Sequence, residues 1–347
     1  MGAASGADAG HLVPRTGRSA AARLPGPGTE IAPAGQIVLT FSRPVAAVLG
    51  ARRPAVRPAT PGRWRLLDAH TIAFQPGGAL GFGLGATVHL TLPRTVLLTE
   101  GARATATRRL DWIVPPGTTL RLQQLLAQLG YLPLAWQPAQ PESRTSARTE
   151  LAAAVDPPDG LFQWGYPNIP PELEAIWTPG EPNQITRGAL MMFEHDHDLA
   201  VDGLAGPMVW HALIAATVAG ARRTLGYSYV YVHRNVPQSL NLWHNGKVIL
   251  TSPGNTGVPA APTQLGTFPV FEHIPVGTMR GTNPDGSHYN DPGIQWISYF
   301  NHGDAIHSFN RSSFGTPQSL GCVELPLAAA AKVWPYTPIG TLVTIEN

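Results

Sequence analysis

Apolar and polar residues alternate along several short stretches of the N-terminal third of the chain. QIVLTF places Ile37, Leu39 and Phe41 on one face, and TVHLTL repeats the alternation from Thr87. A period of two is typical of strands with one buried face. Segments rich in Pro and Gly separate these stretches, so residues 29–117 are predicted to form a small all-β sandwich.

Helical spacing replaces this alternation after residue 117. TLRLQQLLAQLG repeats leucine every three or four positions, with Thr118 or Thr119 as a predicted N-cap and Gly130 just past the end. Further helical periodicity follows, and Pro207 is predicted to open the last helix. Residues 118–220 are therefore predicted to form a small helical module, with an insertion near 136–183.

EHDHD, at residues 194–198, crowds two histidines and three carboxylates into five positions. Side chains at a helix end splay apart, so this segment is interpreted as a polar helix-to-turn segment and no metal site is predicted.

Strand and turn patterns return in residues 221–347, with Asn245–Gly246 as a predicted hairpin turn. Residues 278–296 are polar and long, which is typical of a loop that covers a site and not of a simple hairpin. The chain is thus predicted to be a mainly β multidomain protein.

Composition excludes several classes of protein. The formal net charge is +2 and the arginines are scattered, so no nucleic-acid partner is expected. No apolar run is long enough for a membrane span. Residues 1–28 are rich in Ala, Gly and Pro and are predicted to be a disordered tail or linker. They lack the apolar core of a signal peptide, so the protein is expected to be either cytosolic or a trimmed form of an exported one.

Cys322 is the only cysteine of the chain, so it has no internal disulfide partner and no cysteine set for zinc. His307 and Ser308 lie shortly before it. A cysteine attacks carbonyl groups only as a thiolate, so a neighbouring imidazolium must lower its pKa of about 8.5 and backbone amides must receive the oxyanion. His307 and the Gly321–Cys322 turn could supply both. A buried structural cysteine is the alternative, and His302 is the competing base.

The segments TSPGNTGVPAAPTQLGTF, AIHSF and SLGCVEL resemble the YkuD-type catalytic domain of L,D-transpeptidases over residues 227–346. The resemblance implies that Cys322 is the nucleophile, His307 the general base, and Ser308 the residue whose main-chain carbonyl orients the histidine. It also places the oxyanion donors at Gly321 and the Cys322 amide. Four further residues are expected to bind substrate or the oxyanion: Ser319, His302, Trp296 and Tyr289.

Three departures from the family pattern stand out. The gap between His307 and Ser319 is short, Leu320 stands where a basic residue is usual, and Glu324 stands where Asn or Arg is usual. Glu324 puts an acid where a basic group is expected, which reverses the local charge. The substrate carboxylates would therefore have to be held in a different way.

Resemblance also extends to the rest of the chain. LGYLPL and the pattern from Phe193 to Leu213 resemble the peptidoglycan-binding three-helix module, and the N-terminal sandwich is of the immunoglobulin-like kind. The predicted fold is therefore an immunoglobulin-like β-sandwich at 29–117, a small three-helix module at 118–220 and a C-terminal YkuD-type β-sandwich catalytic domain at 221–347.

The expected function is formation of 3→3 peptidoglycan cross-links through a cysteine thioester, without a metal or organic cofactor. The expected partners are peptidoglycan stem peptides and glycan, with carbapenem β-lactams as covalent inhibitors. This implies an extracytoplasmic location at the cell wall or cell surface, with the signal or anchor ahead of Met1. An L,D-carboxypeptidase and a non-catalytic wall-binding scaffold are the alternatives.

Overall fold

The computed structural model describes residues 22–23, 30–78, 80–93, 98–100, 103–105, 109–140 and 145–347. The predicted tail at 1–28 lies outside the described residues, apart from 22–23. The helices are α1 Val45–Leu49, α2 Thr119–Gln128, α3 Ala147–Val155, α4 Pro171–Glu174, α5 Gln184–Asp196, α6 Pro207–Val218 and α7 Leu327–Val333, and a 3₁₀ turn covers Trp334–Tyr336.

The strands follow in chain order. They are β1 Ala22–Arg23, β2 Ile37–Phe41, β3 Val56–Arg57, β4 Gly62–Leu66, β5 Thr71–Pro76, β6 Thr87–Thr91, β7 Leu98–Glu100, β8 Arg103–Thr105, β9 Arg109–Ile113, β10 Leu134–Pro138, β11 Gly160–Trp164, β12 Ser228–His233, β13 Ser239–His244, β14 Lys247–Pro253, β15 Gly266–Pro269, β16 Glu272–Thr282, β17 His288–Asn301, β18 Asp304–Ser308, β19 Val323–Leu325 and β20 Leu342–Glu346.

The chain divides into two compact units. The first holds residues up to 117 together with 145–156 and 206–214, and the second holds 118–144, 157–205 and 215–347. Within the described ranges, no helix is both long and apolar enough to cross a bilayer.

Two antiparallel sheets enclose the buried core of the first unit. One sheet has the order β1-β2-β5-β4 and the other the order β3-β6-β9. Their inner faces contribute Ile37, Leu39, Phe74, Leu90 and Trp112 to one buried cluster. The strands predicted from alternation in QIVLTF and TVHLTL are confirmed, and the immunoglobulin-like assignment stays a prediction.

Helices α2 and α5 pack together at the start of the second unit. Thr118 caps α2, because its Oγ1 accepts a hydrogen bond from the Arg121 amide at 3.1 Å. The helix ends at Gln128, and Gly130 takes a positive φ of 81° as a helix-terminating glycine does. The resemblance of this region to a peptidoglycan-binding module stays a prediction.

Glu194, at the start of EHDHD, has a structural role. Its carboxylate Oε2 accepts hydrogen bonds from the amides of Asp202 and Gly203 at 3.0 and 2.8 Å, which fixes the turn after α5. Among the described residues no group of three or more His, Cys, Asp or Glu side chains is arranged to hold a metal ion.

Two sheets also form the C-terminal part of the second unit. A five-stranded sheet has the order β14-β13-β12-β20-β15, and a four-stranded sheet has the order β16-β17-β18-β19. Residues from both sheets and from α7 share a buried cluster that includes Val230, Leu242, Ile306, Val323 and Val333. The hairpin between β13 and β14 turns at Asn245–Gly246, both with positive φ, as predicted.

The segment 278–296 is a paired hairpin, so its interpretation as an irregular loop is wrong. Strands β16 and β17 pair antiparallel from Glu272↔Tyr299 to Thr282↔His288. The turn at 283–287 is closed by the Asp285 carboxylate, which accepts a hydrogen bond from the Ser287 amide at 2.9 Å. Pro284-Asp285-Gly286 is a turn sequence, and it marks the tip of a hairpin whose arms are unusually long and polar.

Candidate active site

Cys322 lies immediately before β19, at the end of a loop that a glycine makes possible. Gly321 has a φ of 120°, which L side chains rarely adopt. Ser319 fixes the turn, because its Oγ donates to the Cys322 carbonyl at 2.6 Å and accepts from the Gly321 amide at 3.3 Å. These two hydrogen bonds fix the main chain that carries the thiol.

His307 lies in the middle of β18, which pairs parallel with β19. Its ring is almost fully buried, and Nδ1 lies 2.9 Å from the Ser308 carbonyl oxygen. A carbonyl can only accept, so Nδ1 carries the proton and Nε2 is left as a free base. Burial lowers the pKa of His307, so the imidazole is neutral at neutral pH.

Cys322 and His307 line the same cavity, which has a volume of about 390 Å³. The hairpin β16–β17 contributes Met279, Tyr289 and Asp291 to its wall. The segment 278–296, which was predicted to cover a site, thus consists of two paired strands that form part of the cavity wall.

The thiol of Cys322 is protonated at rest. Protein atoms surround the sulfur although part of its surface reaches the cavity, and this desolvation raises the pKa of Cys322 to about 12. The Ala305 amide favours the thiolate, whereas the charges of Asp304 and Glu324 disfavour it. The sequence-based expectation that an imidazolium lowers this pKa is therefore wrong for the resting site, where burial favours the neutral form of both residues.

A hydrogen bond holds the resting thiol on the side of the β17–β18 turn. Its Sγ donates to the Gly303 carbonyl at 3.7 Å. A neutral Cys-His pair can still react, because His307 can take the thiol proton as the sulfur attacks.

Ser308 meets a second cavity. The residue helps to line a space of about 620 Å³. Asp291, Phe309 and Arg311 line both this space and the cavity of Cys322. The site therefore has two neighbouring spaces, with His307–Ser308 between them along β18.

Glu324 lies two residues after Cys322, and its buried carboxylate is paired. Arg311 donates from Nε to Oε2 at 2.8 Å and from Nη2 to Oε1 at 2.6 Å. Arg311 also donates to the Gln318 carbonyl and lies over the Phe309 ring, 4.6 Å from its centroid. The acid that departs from the family pattern is thus neutralised by a cation from the loop that precedes Cys322.

Asn255 also holds the loop between β18 and β19 by hydrogen bonds. It is fully buried, its Oδ1 accepts from the Gly315 amide at 3.0 Å, and its Nδ2 donates to Glu324 at 3.4 Å. Sequence reasoning missed Arg311, Asn255 and Asp304. Their signals were weak, because each lies in a loop or at a strand end where no periodicity marks its contacts.

The other residues predicted to bind substrate are divided between the cavity and its surroundings. Tyr289 and Ser319 line the cavity, together with Leu320. His302 is exposed in the tight turn between β17 and β18, with a φ of 48°. Trp296 contacts Trp334 in a tilted arrangement, with ring centroids 5.3 Å apart, and packs against the core of the two sheets.

Residues 227–345 match the family model described as YkuD, L,D-transpeptidase catalytic domain. No curated protein matches the chain. Among solved structures, the chain is similar to an L,D-transpeptidase from Mycobacterium smegmatis, with 13% identity over 93% of this chain and 96% of that one and a TM-score of 0.32.

Two further structures concern β-lactam adducts. L,D-transpeptidase 3 from Mycobacterium tuberculosis in complex with a faropenem-derived adduct is 14% identical over 93% of this chain and 96% of that one, with a TM-score of 0.31. The catalytic domain of the E. faecium L,D-transpeptidase acylated by ertapenem is 25% identical over 35% of this chain and 99% of that one, with a TM-score of 0.31.

The family match covers the segment that carries Cys322, His307 and Ser308, so the resemblance found in the sequence of the C-terminal domain is confirmed. Residues 227–345 form an L,D-transpeptidase catalytic domain of the YkuD family.

Proposed function

We propose that the protein is an L,D-transpeptidase that forms 3→3 cross-links between peptidoglycan stem peptides through a thioester on Cys322. One observation carries the proposal. The Ser308 carbonyl fixes the Nδ1–H tautomer of a buried His307, which leaves Nε2 as a base in the cavity that also holds the only thiol of the chain.

The first half-reaction makes the thioester. His307 Nε2 takes the thiol proton while Sγ attacks the carbonyl carbon of the third residue of a donor tetrapeptide. The Cys322 amide is the stronger candidate to hold the oxyanion, because the Gly321 amide already donates to Ser319 Oγ. The bond to D-alanine then breaks, and the imidazolium returns the proton to the leaving amine.

The second half-reaction transfers the acyl group. The side-chain amine of a second stem peptide attacks the thioester, and Cys322 leaves as the thiol. Water in place of the amine gives the carboxypeptidase outcome. The intact Cys-His pair favours an enzyme over a wall-binding scaffold.

The proposal also includes the location of the protein, the nature of its N-terminal domains and its inhibitors. The protein acts outside the cytoplasm at the cell wall, residues 29–117 form an immunoglobulin-like domain, and residues 118–220 form a peptidoglycan-binding-like helical module. Carbapenems are expected to acylate Cys322, because their strained amide offers the same thiol an activated carbonyl.

Two measurements on one preparation test the proposal. Intact mass after carbapenem exposure is expected to show one adduct in the wild type and none in Cys322→Ala. Incubation with a disaccharide tetrapeptide is expected to give dimer and released D-alanine. Tripeptide without dimer would assign the carboxypeptidase activity, and absence of both adduct and product would leave the scaffold.

A further inference from the structure

Asp304 opens β18 and stands against the turn that holds the nucleophile. Its carboxylate occupies the space beside the Gly321 Cα, since a Cβ built on Gly321 would overlap Asp304 Oδ1 and stand 3.0 Å from its Cγ. Asp304 also lines the cavity of Cys322 and His307. The carboxylate therefore lies close enough to Cys322 for its charge to act on the thiol.

No ion pair to this carboxylate is found among the described residues. In the part of the chain that the structure describes, no Lys, Arg or His nitrogen lies within ion-pair distance of Asp304, whereas Glu324, the other acid that acts on the thiol, is held by Arg311. Burial raises the pKa of Asp304, while Asn301 and His302 favour its charged form. An unpaired, half-buried carboxylate that faces a cavity calls for a cationic ligand.

The charge of Asp304 also has a cost for the first half-reaction, because it disfavours the thiolate of Cys322. A benefit of the same charge in the second half-reaction would offset that cost. The nucleophile of that step is an amine, which is mostly protonated at neutral pH and must lose a proton before it can attack. A nearby carboxylate could accept that proton.

We propose that Asp304 is a catalytic residue that binds the ammonium group of the acceptor stem peptide and accepts one of its protons beside the thioester. The inference rests on the proposed function. It names the acceptor as a primary amine in its charged form, recognised by a carboxylate within the cavity.

The protons balance over the step. The ammonium gives one proton to the Asp304 carboxylate, and the resulting amine forms the C–N bond at the thioester carbonyl carbon. The C–S bond breaks, His307 Nε2 takes the second N–H proton and returns it to the sulfur, and the amide keeps the third. Asp304 then releases its proton to water.

Asp304→Asn tests the assignment, because it removes the charge and keeps the shape. Two acceptors are compared on the same tetrapeptide donor at neutral pH. The first is a stem tripeptide with a free side-chain amine, which is cationic, and the second is hydroxylamine, which is uncharged. Dimer and hydroxamate are the measured products, and carbapenem adduct formation reports the first half-reaction.

The expected result is a split between the readouts. Dimer formation falls by about 10²-fold, the lower end of the range for lost proton transfer, while hydroxamate formation stays within about threefold. Adduct formation is unchanged or faster, because a negative charge next to the thiol is gone. Glu272→Gln, the same charge change on an exposed residue at the start of β16, is expected to leave all three readouts unchanged.

Three outcomes would overturn the inference. Equal losses of dimer and hydroxamate would make Asp304 a structural residue, and unchanged dimer formation would show that the carboxylate is not used. A wild-type protein that forms no adduct, or an adduct but no dimer, would refute the proposed transferase and this inference with it. The first two outcomes leave the proposed function standing.

Discussion

Arg311 and Glu324 form a two-bond ion pair close to Cys322, with N–O distances of 2.8 and 2.6 Å. Strand pairing fixes the acid, because Glu324 lies opposite His307 in the parallel register of β18 and β19. The cation comes from the loop between those strands. The pair therefore ties the loop to β19, the strand that pairs with the one carrying His307.

Removing the cation is expected to destabilise the catalytic domain. Arg311→Ala leaves a buried carboxylate unpaired, which costs about 3 kcal/mol, the lower end of the range for broken buried pairs because Arg311 is partly exposed. Arg311→Ala/Glu324→Gln is expected to recover most of this loss. Urea unfolding of both variants measures the difference, and a silent Arg311→Ala would show that the pair contributes no stability.

The turn at Gly321 is expected to tolerate no side chain. In Gly321→Ala the new Cβ would be strained at the positive φ and would overlap the Asp304 carboxylate. The substitution should therefore lower the free energy of unfolding by about 1–3 kcal/mol and, by displacing the thiol, abolish carbapenem acylation. Gly286→Ala is the matched control, since Gly286 also has a positive φ but a Cβ there meets nothing within 4 Å. Equal effects of the two changes on acylation would contradict the assigned role of the turn.

The outer part of the β16–β17 hairpin is expected to matter for turnover and not for folding. Replacing residues 281–289 with Asn-Gly joins the paired residues Arg280 and Asn290 through a two-residue turn and removes Tyr289 from the cavity. Turnover should fall by about tenfold or more because the cavity loses a wall, with the melting temperature within a few degrees.

Asp285→Asn, at the tip of the hairpin, is the control for this shortening. It alters the turn and keeps Tyr289, so activity should persist. Full turnover in the shortened variant would mean that the hairpin does not cover the substrate.

The sequence was informative where short-range patterns decide the structure. Alternation predicted β2 and β6, helical spacing with Thr118 predicted α2, and the motif residues placed His307 in a strand ahead of Cys322. The hairpin at 278–296 was missed because its arms are polar, although Pro284-Asp285-Gly286 marked the turn.

The electrostatics of the site could not be predicted in the same way. Pairing of Arg311 with Glu324 and placement of Asp304 against Gly321 depend on which loops meet, and charged residues in loops have no periodicity. The pKa of Cys322 is raised by burial, a property of the folded site that no local motif encodes.

Acid is expected to weaken the native state through His307. Burial lowers its pKa in the folded protein, so below the ordinary value of about 6.5 the unfolded chain binds the proton more readily and stability is lost as pH falls. His307→Gln should remove this part of the acid sensitivity. Unfolding midpoints of wild type and variant between neutral pH and about pH 5 measure the effect.

The same residue should set the pH profile of acylation, and its neighbour should not. His307→Gln is expected to slow carbapenem acylation by about 10²-fold or more at neutral pH, because the thiol loses its base. Ser308→Ala keeps the carbonyl that accepts from Nδ1, so its acylation rate should stay within about threefold of wild type.

Wild-type acylation should be nearly independent of pH from neutral to mildly alkaline conditions, where His307 is already neutral. The His307→Gln rate should instead rise with pH, because only the thiolate reacts and burial holds the pKa of Cys322 at about 12. His302→Ala is the control, since His302 is exposed in the β17–β18 turn, and it should retain the flat profile. A rising profile in His302→Ala with a flat one in His307→Gln would transfer the role of base to His302.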